Sequence, residues 1–252
     1  MQFVEYGKEN SETIILLHGG GLSWWSYDEV SKALRDDFHV LLPILDGHAE
    51  SDQPFTTIEA NAKEIIDYVD KNFGGSVLLI GGLSLGAQVV LEILSQRRDI
   101  CRYAIVESAL VKPSRLTHFL IKPAIGGCYG LIKKRWFARL QFKALRIRQE
   151  LFECYFTDTA DIPKQDMIAF MQANATYFLK GSIRSTEAEV HIFVGAKENG
   201  AMRKSAEDIH RAMPNSILTV VPRLYHGELS INHGRDYAMR IRQIVGERKS
   251  TK

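Results

Sequence analysis

Ser84 stands in Gly82-Leu83-Ser84-Leu85-Gly86, directly after the apolar run Ser76–Ile80 and at the opening of an amphipathic segment that starts at Leu85. A serine on a sharp strand-to-helix turn is lifted clear of the sheet at its C-terminal edge. Small residues two places before and after it let the turn close without clashes. The helix start behind it offers unpaired N–H groups that favour developing negative charge. This is a setting for a nucleophilic hydroxyl; the plain alternative is a tight turn with a buried serine. With 19 Gly and 16 Ser in the chain, the five-residue pattern alone arises in about one shuffled sequence in eleven. Placement between strand and helix therefore carries more weight than the pattern.

A second signal, His18-Gly19-Gly20-Gly21, follows the run Thr13–Leu17. Three glycines let the backbone turn inward, so the amides of Gly20 and Leu85 are expected to flank one point near Ser84. Two preorganised donors aimed at a developing oxyanion contribute ~3 kcal/mol each in acyl transfer. His18 belongs to the turn itself and reads as the residue holding it.

A serine hydroxyl needs a base. Of eight histidines, His226 is best placed, just past the last β-type run, Ile217–Val221. His39 and His191 lie inside strand patterns, His210 in a helical one and His118 in a helical stretch, while His48 and His233 sit in loops without that position. The base in turn needs a carboxylate to fix its tautomer. Glu198, after the run Val190–Val194, is the first choice. Glu107, ending the run Tyr103–Val106, is the rival, and Asp46 and Asp52 follow another strand toward the same edge.

The elements that must position these groups follow from the pattern. Thr13–Leu17, Phe38–Leu42, Ser76–Ile80, Tyr103–Val106, Val190–Val194 and Ile217–Val221 are mostly continuous apolar runs, as a parallel sheet covered on both faces requires. Phe3–Tyr6 is a candidate edge strand. Between the runs lie helical patterns at Thr57–Phe73, Leu85–Gln96, Met202–Met213 and Tyr237–Val245; in the first, Ile58, Ile65, Ile66, Val69 and Phe73 share one face. Strand and helix in alternation predict an α/β fold with a doubly wound, mostly parallel sheet. Parallel strands release their following loops along one edge, so Ser84 and His226 are expected on the same side.

From about 112 to 181 the alternation stops and helical patterns follow one another, which predicts a helical insertion between two strands. Residues 112–148 hold ten Lys or Arg and no Asp or Glu. Such a stretch suits anionic substrates, an anionic membrane surface, or a solvated face with counter-charges elsewhere in the fold.

The chain has 252 residues, 45% apolar and 25% charged, with a net charge of +2. Those values exclude a disordered chain and give no reason to expect a nucleic-acid binder. Cys101, Cys128 and Cys154 have neither metal-site nor disulfide spacing, which suits a reduced, cytoplasmic setting. The first residues show no signal-peptide pattern, and no apolar run reaches the ~20 residues of a membrane helix.

Together these motifs resemble the α/β-hydrolase fold superfamily across essentially the whole chain: glycine turn (18–21), serine elbow (82–86), an acid after a late strand and a histidine after the last one. The resemblance implies one α/β-hydrolase domain over 1–252 with a helical cap at 112–181. It implies Ser84 as nucleophile, His226 as base, Glu198 as acid, and Gly20 and Leu85 as oxyanion donors, with Glu107 the alternative acid. Gly21, Trp24 and Trp25 are candidate substrate contacts. Two departures stand out: the acid is Glu where Asp is commoner, and in Pro43–Ser51 Ile44 and Ala49 replace an Asp and a Gly of the family pattern. The activity implied is hydrolysis of a small carboxylic ester or thioester through an acyl-enzyme, with no metal and no cofactor. C–C bond hydrolysis or a lyase reaction, and a non-catalytic ligand-binding role, are the alternatives. Dehalogenase and epoxide hydrolase chemistry, which uses a carboxylate nucleophile, is not expected, because position 84 is serine.

Overall fold

The computed structural model describes residues 1–246. Seven strands form one sheet: β1 (Gln2–Tyr6), β2 (Thr13–Leu17), β3 (His39–Ile44), β4 (Val77–Leu83), β5 (Cys101–Glu107), β6 (Glu189–Gly195) and β7 (Ser216–Val221). Their spatial order is β1-β3-β2-β4-β5-β6-β7. Among the described residues only β1 runs antiparallel; every other neighbouring pair is parallel.

The apolar runs fill both faces because successive side chains point oppositely. In β2, Ile15 and Leu17 join one core with α2 (Ile58–Phe73), α3 (Leu85–Gln96) and α8 (Gly200–Ala212), while Ile14 and Leu16 join the other with α1 (Asp28–Leu34) and α10 (Gly234–Gly246). Two short helices escaped the sequence pattern. α1 spans seven residues after a 3-10 turn at Trp24–Tyr27, and α9 (Glu228–Asn232) spans five; neither is long enough to show a helical period. Strand β4 also runs three residues past the expected Ile80, straight into the turn at Ser84.

Between β5 and β6 lie α4 (Arg115–Ile132), α5 (Arg135–Leu145), α6 (Phe152–Asp161) and α7 (Lys164–Thr176). Buried polar bonds seat the later helices on the body. The Gln88 side chain of α3 donates to the carbonyls of Leu110 and Asn174, and the Asn174 amide donates back to the Gln88 oxygen at 3.0 Å. Asp166 accepts the Phe55 N–H at 3.0 Å, and Asp158 accepts the Trp25 indole N–H at 2.6 Å. By contrast α4 packs on α7 and α5, and its buried side chains are Ile121, Ile125 and Ile132.

Candidate active site

Ser84 has φ 54° and ψ −112°, a conformation an L-residue adopts at a cost of ~1–3 kcal/mol. The surrounding backbone enforces it. A Cβ on Gly82 would meet the Gly86 carbonyl carbon and oxygen at 2.5 Å, and one on Gly86 would collide with the carbonyl oxygens of Leu17 and His18. The Ser84 N–H donates to the Glu107 carbonyl at 2.9 Å, tying the turn to β5. The Leu85 amide, first in α3, has no acceptor among the described residues, nor has that of Gly20.

His18 explains how the glycine turn holds its shape. The ring is fully buried. Its Nε2 accepts the Leu45 N–H at 3.1 Å, so Nδ1 carries the proton and donates to the Gly19 carbonyl at 2.9 Å. Burial, with His48 beside it, pushes its pKa down to about 3, so the ring is a neutral bridge between two loops. Gly21 has φ +73°, open to glycine at little cost, and its carbonyl accepts the Thr159 hydroxyl of α6 at 3.3 Å.

The loop after β7 lies against the end of β6. Lys197 N–H donates to the Leu224 carbonyl and Ala196 N–H to that of Val221, both at 2.9 Å. A side chain on Gly195 would strike the Leu224 carbonyl, so this close passage requires glycine there. Glu228 accepts the Tyr225 N–H at 2.7 Å and fixes the residue before His226. His226 Nδ1 then meets Glu198 Oε2 at 2.8 Å. The other oxygen of Glu198 accepts from Ser108 Oγ at 2.7 Å and from the Gly195 N–H at 2.8 Å. Burial alone would push the Glu198 carboxyl up; the hydrogen bonds from His226, Gly195 and Ser108 outweigh it and hold the pKa below its ordinary value.

The other candidate acids make no hydrogen bond to His226, whose carboxylate partner is Glu198. Glu107 is buried, and Ser230 N–H approaches its Oε1 at 3.4 Å while Oε2 has no partner among the described residues. Burial pushes its pKa up to about 7, so it holds its proton over much of the acidic range. Asp46 is buried beside Glu64 and, through burial first and that carboxylate second, is also held up. Asp52 is exposed, near the N-terminal amine.

Two cavities meet at Ser84. One, about 270 Å³, lies under the insertion, with Gly20, Leu85, Leu110, Ile121, Phe170 and Met171 on its walls. The other, about 250 Å³, is bounded by Gly21, Leu145, Ile147, Tyr155, Thr159 and His226. Neither Trp24 nor Trp25 lines them: Trp25 is buried and bonds Asp158, and Trp24 packs at the edge of the core around α1. That corrects the expectation of tryptophan walls. An indole N–H needs an acceptor when buried, and Asp158 supplies it away from the serine. The walls come instead from the glycine turn, the elbow and the His226 loop together with the insertion, whose residues carry no motif. Ser108 was equally silent in the sequence; its only signal is its place next to Glu107. Two larger hollows, about 460 and 530 Å³, do not include Ser84; the first lies where β5, β6 and β7 begin, at the opposite edge of the sheet.

A sequence profile described as the alpha/beta hydrolase family matches residues 14–238. The chain belongs to the alpha/beta hydrolase family. Among solved structures, the fold is shared with a thermophilic esterase from Thermogutta terrifontis at 19% identity, covering 98% of this chain and 93% of that one, with a TM-score of 0.80. An enol-lactonase from Burkholderia xenovorans superposes with a TM-score of 0.79 at 13% identity, over 97% of this chain and 96% of its own. A bromoperoxidase from Bacillus anthracis gives 0.80 at 15% identity, over 97% and 94%. One alpha/beta hydrolase fold thus carries several named activities, and these likenesses speak for architecture, not substrate.

Proposed function

We propose that the protein is a serine hydrolase of small carboxylic esters or thioesters. Ser84 attacks the acyl carbon, and His226 takes the hydroxyl proton and passes it to the leaving oxygen or sulfur. Glu198 holds the imidazole in the Nδ1–H tautomer and stabilises it once charged. The amides of Gly20 and Leu85 receive the oxyanion. Water, deprotonated by the same ring, then releases the acyl group. The helices at 112–181 act as a cap that forms the roof of both cavities.

One observation carries this reading: an imidazole bonded at 2.8 Å to a buried, thrice-bonded carboxylate opens onto the same cavity as a serine in a strained turn. The His226 cavity must hold the leaving group, because the ring hands it a proton. The cavity beneath Leu110, Ile121 and Phe170 then takes the acyl part. Volumes of about 270 and 250 Å³ suit short or medium chains.

A fluorophosphonate probe tests the chemistry directly. Labelling that vanishes in Ser84→Ala supports a serine enzyme; a folded parent protein that refuses the label rejects it and favours a binding role. Turnover across p-nitrophenyl esters of graded chain length, beside acyl thioesters, then separates the two substrate classes.

A further inference from the structure

We propose that the outward face of α4 and α5 docks on an anionic lipid bilayer. The surface stands apart from the hydrolase reading and would hold if that reading failed. Along α4, Ile121, Ile125 and Ile132 are buried on one row. A second apolar row, Leu116, Phe119, Leu120 and Leu131, is exposed by 70, 72, 56 and 39%. At 100° per residue the two rows lie about 140° apart. A helix that merely covers a core needs one apolar row; the second faces away from everything the chain supplies among its described residues. On α5, Trp136 and Leu140, one turn apart, are 58 and 61% exposed on a helix that also carries Arg139 and Lys143. Large apolar side chains clustered in solvent mark a docking surface.

Charge selects the occupant. Of ten cations in 112–148, three meet carboxylates: Lys112 with Asp208, Arg135 with Glu153, and Arg148 with Glu29. The other seven, Arg115, Lys122, Lys133, Lys134, Arg139, Lys143 and Arg146, form no ion pair with a carboxylate among the described residues, although Arg139 stands near enough to Glu153 to act on it. A second copy of the chain would oppose the same unpaired charge. Leucine, phenylalanine and tryptophan interleaved with lysine and arginine on exposed helix faces is the composition of an interfacial element, with cations at the headgroups and apolar tips just below. No helix among the described residues is long and apolar enough to cross a membrane, so the contact is with the surface. Since α4 also lends Thr117 and Ile121 to the cavity beside Ser84, docking would set that cavity close to the lipid.

The test is co-sedimentation with vesicles of phosphatidylcholine alone and of phosphatidylcholine mixed with phosphatidylglycerol, run on the parent and on Ser84→Ala. Both proteins should partition onto the anionic vesicles at least roughly tenfold more strongly than onto neutral ones, and added salt should weaken this. Leu116→Ser with Phe119→Ser, and separately Lys133→Gln with Lys134→Gln, should each reduce partition severalfold while leaving the far-ultraviolet circular dichroism unchanged. Trp136 emission should move to shorter wavelength on anionic vesicles, a shift lost in Trp136→Phe. Equal binding to both vesicle types overturns the proposal. So does an apolar double variant that binds like the parent, which would leave a simple polyanion surface, or a dimer in sedimentation velocity that Phe119→Ser dissolves.

Discussion

The two sides of the Ser84 cavity are built on opposite terms. On the sheet side, backbone meets backbone: Gly82, Gly86 and Gly195 each lie where a single added carbon strikes a main-chain carbonyl, and Ser84 is held in a conformation it would not choose. On the α4 side, contact rests on three buried isoleucines and on side-chain bonds to neighbouring helices, such as Tyr129 to the Ile162 carbonyl and Gln172 to that of His118, and Gly127 and Gly130 face open space. The difference teaches where precision is needed. Bond-making geometry is fixed by the part of the molecule that cannot shift, while shape and access are left to a helix whose surface is free to change.

The sharpest blow to that contrast comes from the carboxylates. Glu198→Gln should lower ester turnover by roughly 10³-fold or more, with the midpoint of thermal unfolding little moved; if Glu107→Gln does this instead, the two exchange roles. Next in size, Gly86→Ala should destabilise by about 3 kcal/mol or more in urea unfolding. A near-neutral result would show that the elbow yields after all. Third is a pH effect. Glu107 has a folded pKa of about 7 against an ordinary 4.5, so it favours the fold below pH 4.5 and loses that contribution as pH rises through 7. Relative to the parent, Glu107→Gln should gain up to ~3 kcal/mol of stability between those limits, read from urea midpoints at several pH values. An unchanged difference across the range would mean the carboxyl is ionised in the fold. Smallest of all, Phe119→Ser should alter stability by no more than about 0.5 kcal/mol and leave hydrolysis of a short soluble ester as it was. A large loss would mean that the exposed row of α4 is structural.

Much of the sheet side was legible in the sequence, because its signals are local. Gly-x-Ser-x-Gly after a strand, three glycines after another, and a histidine beyond the last strand each describe their own backbone. The insertion was legible only as helical. Its working contacts join residues far apart in the chain: Gln88 with Asn174, Trp25 with Asp158, Phe55 with Asp166. No spacing announces such pairs. Ser108 belongs to the same class, since its hydroxyl matters only through Glu198, ninety positions on. The tryptophans misled because aromatic residues beside a glycine turn suggest a pocket wall, whereas a buried indole N–H is drawn to whichever acceptor the fold provides.

The uncharged imidazole of His18 has a consequence for acid tolerance. Burial lowers His18 to about 3 and His48 to about 4, so below pH 6.5 the unfolded chain takes up two protons that the folded one refuses. Glu107 and Asp46, both held up by burial, do the reverse. Between about pH 4.5 and 6.5 the opposing proton uptakes nearly cancel. Once the medium is more acidic than that, the carboxyls no longer distinguish folded from unfolded, and the two rings act unopposed until His48 and then His18 take their protons in the fold, near pH 4 and 3. Between those limits acidification should therefore change the summed contribution of these four groups little, and the net loss they cause should begin only below about pH 4.5.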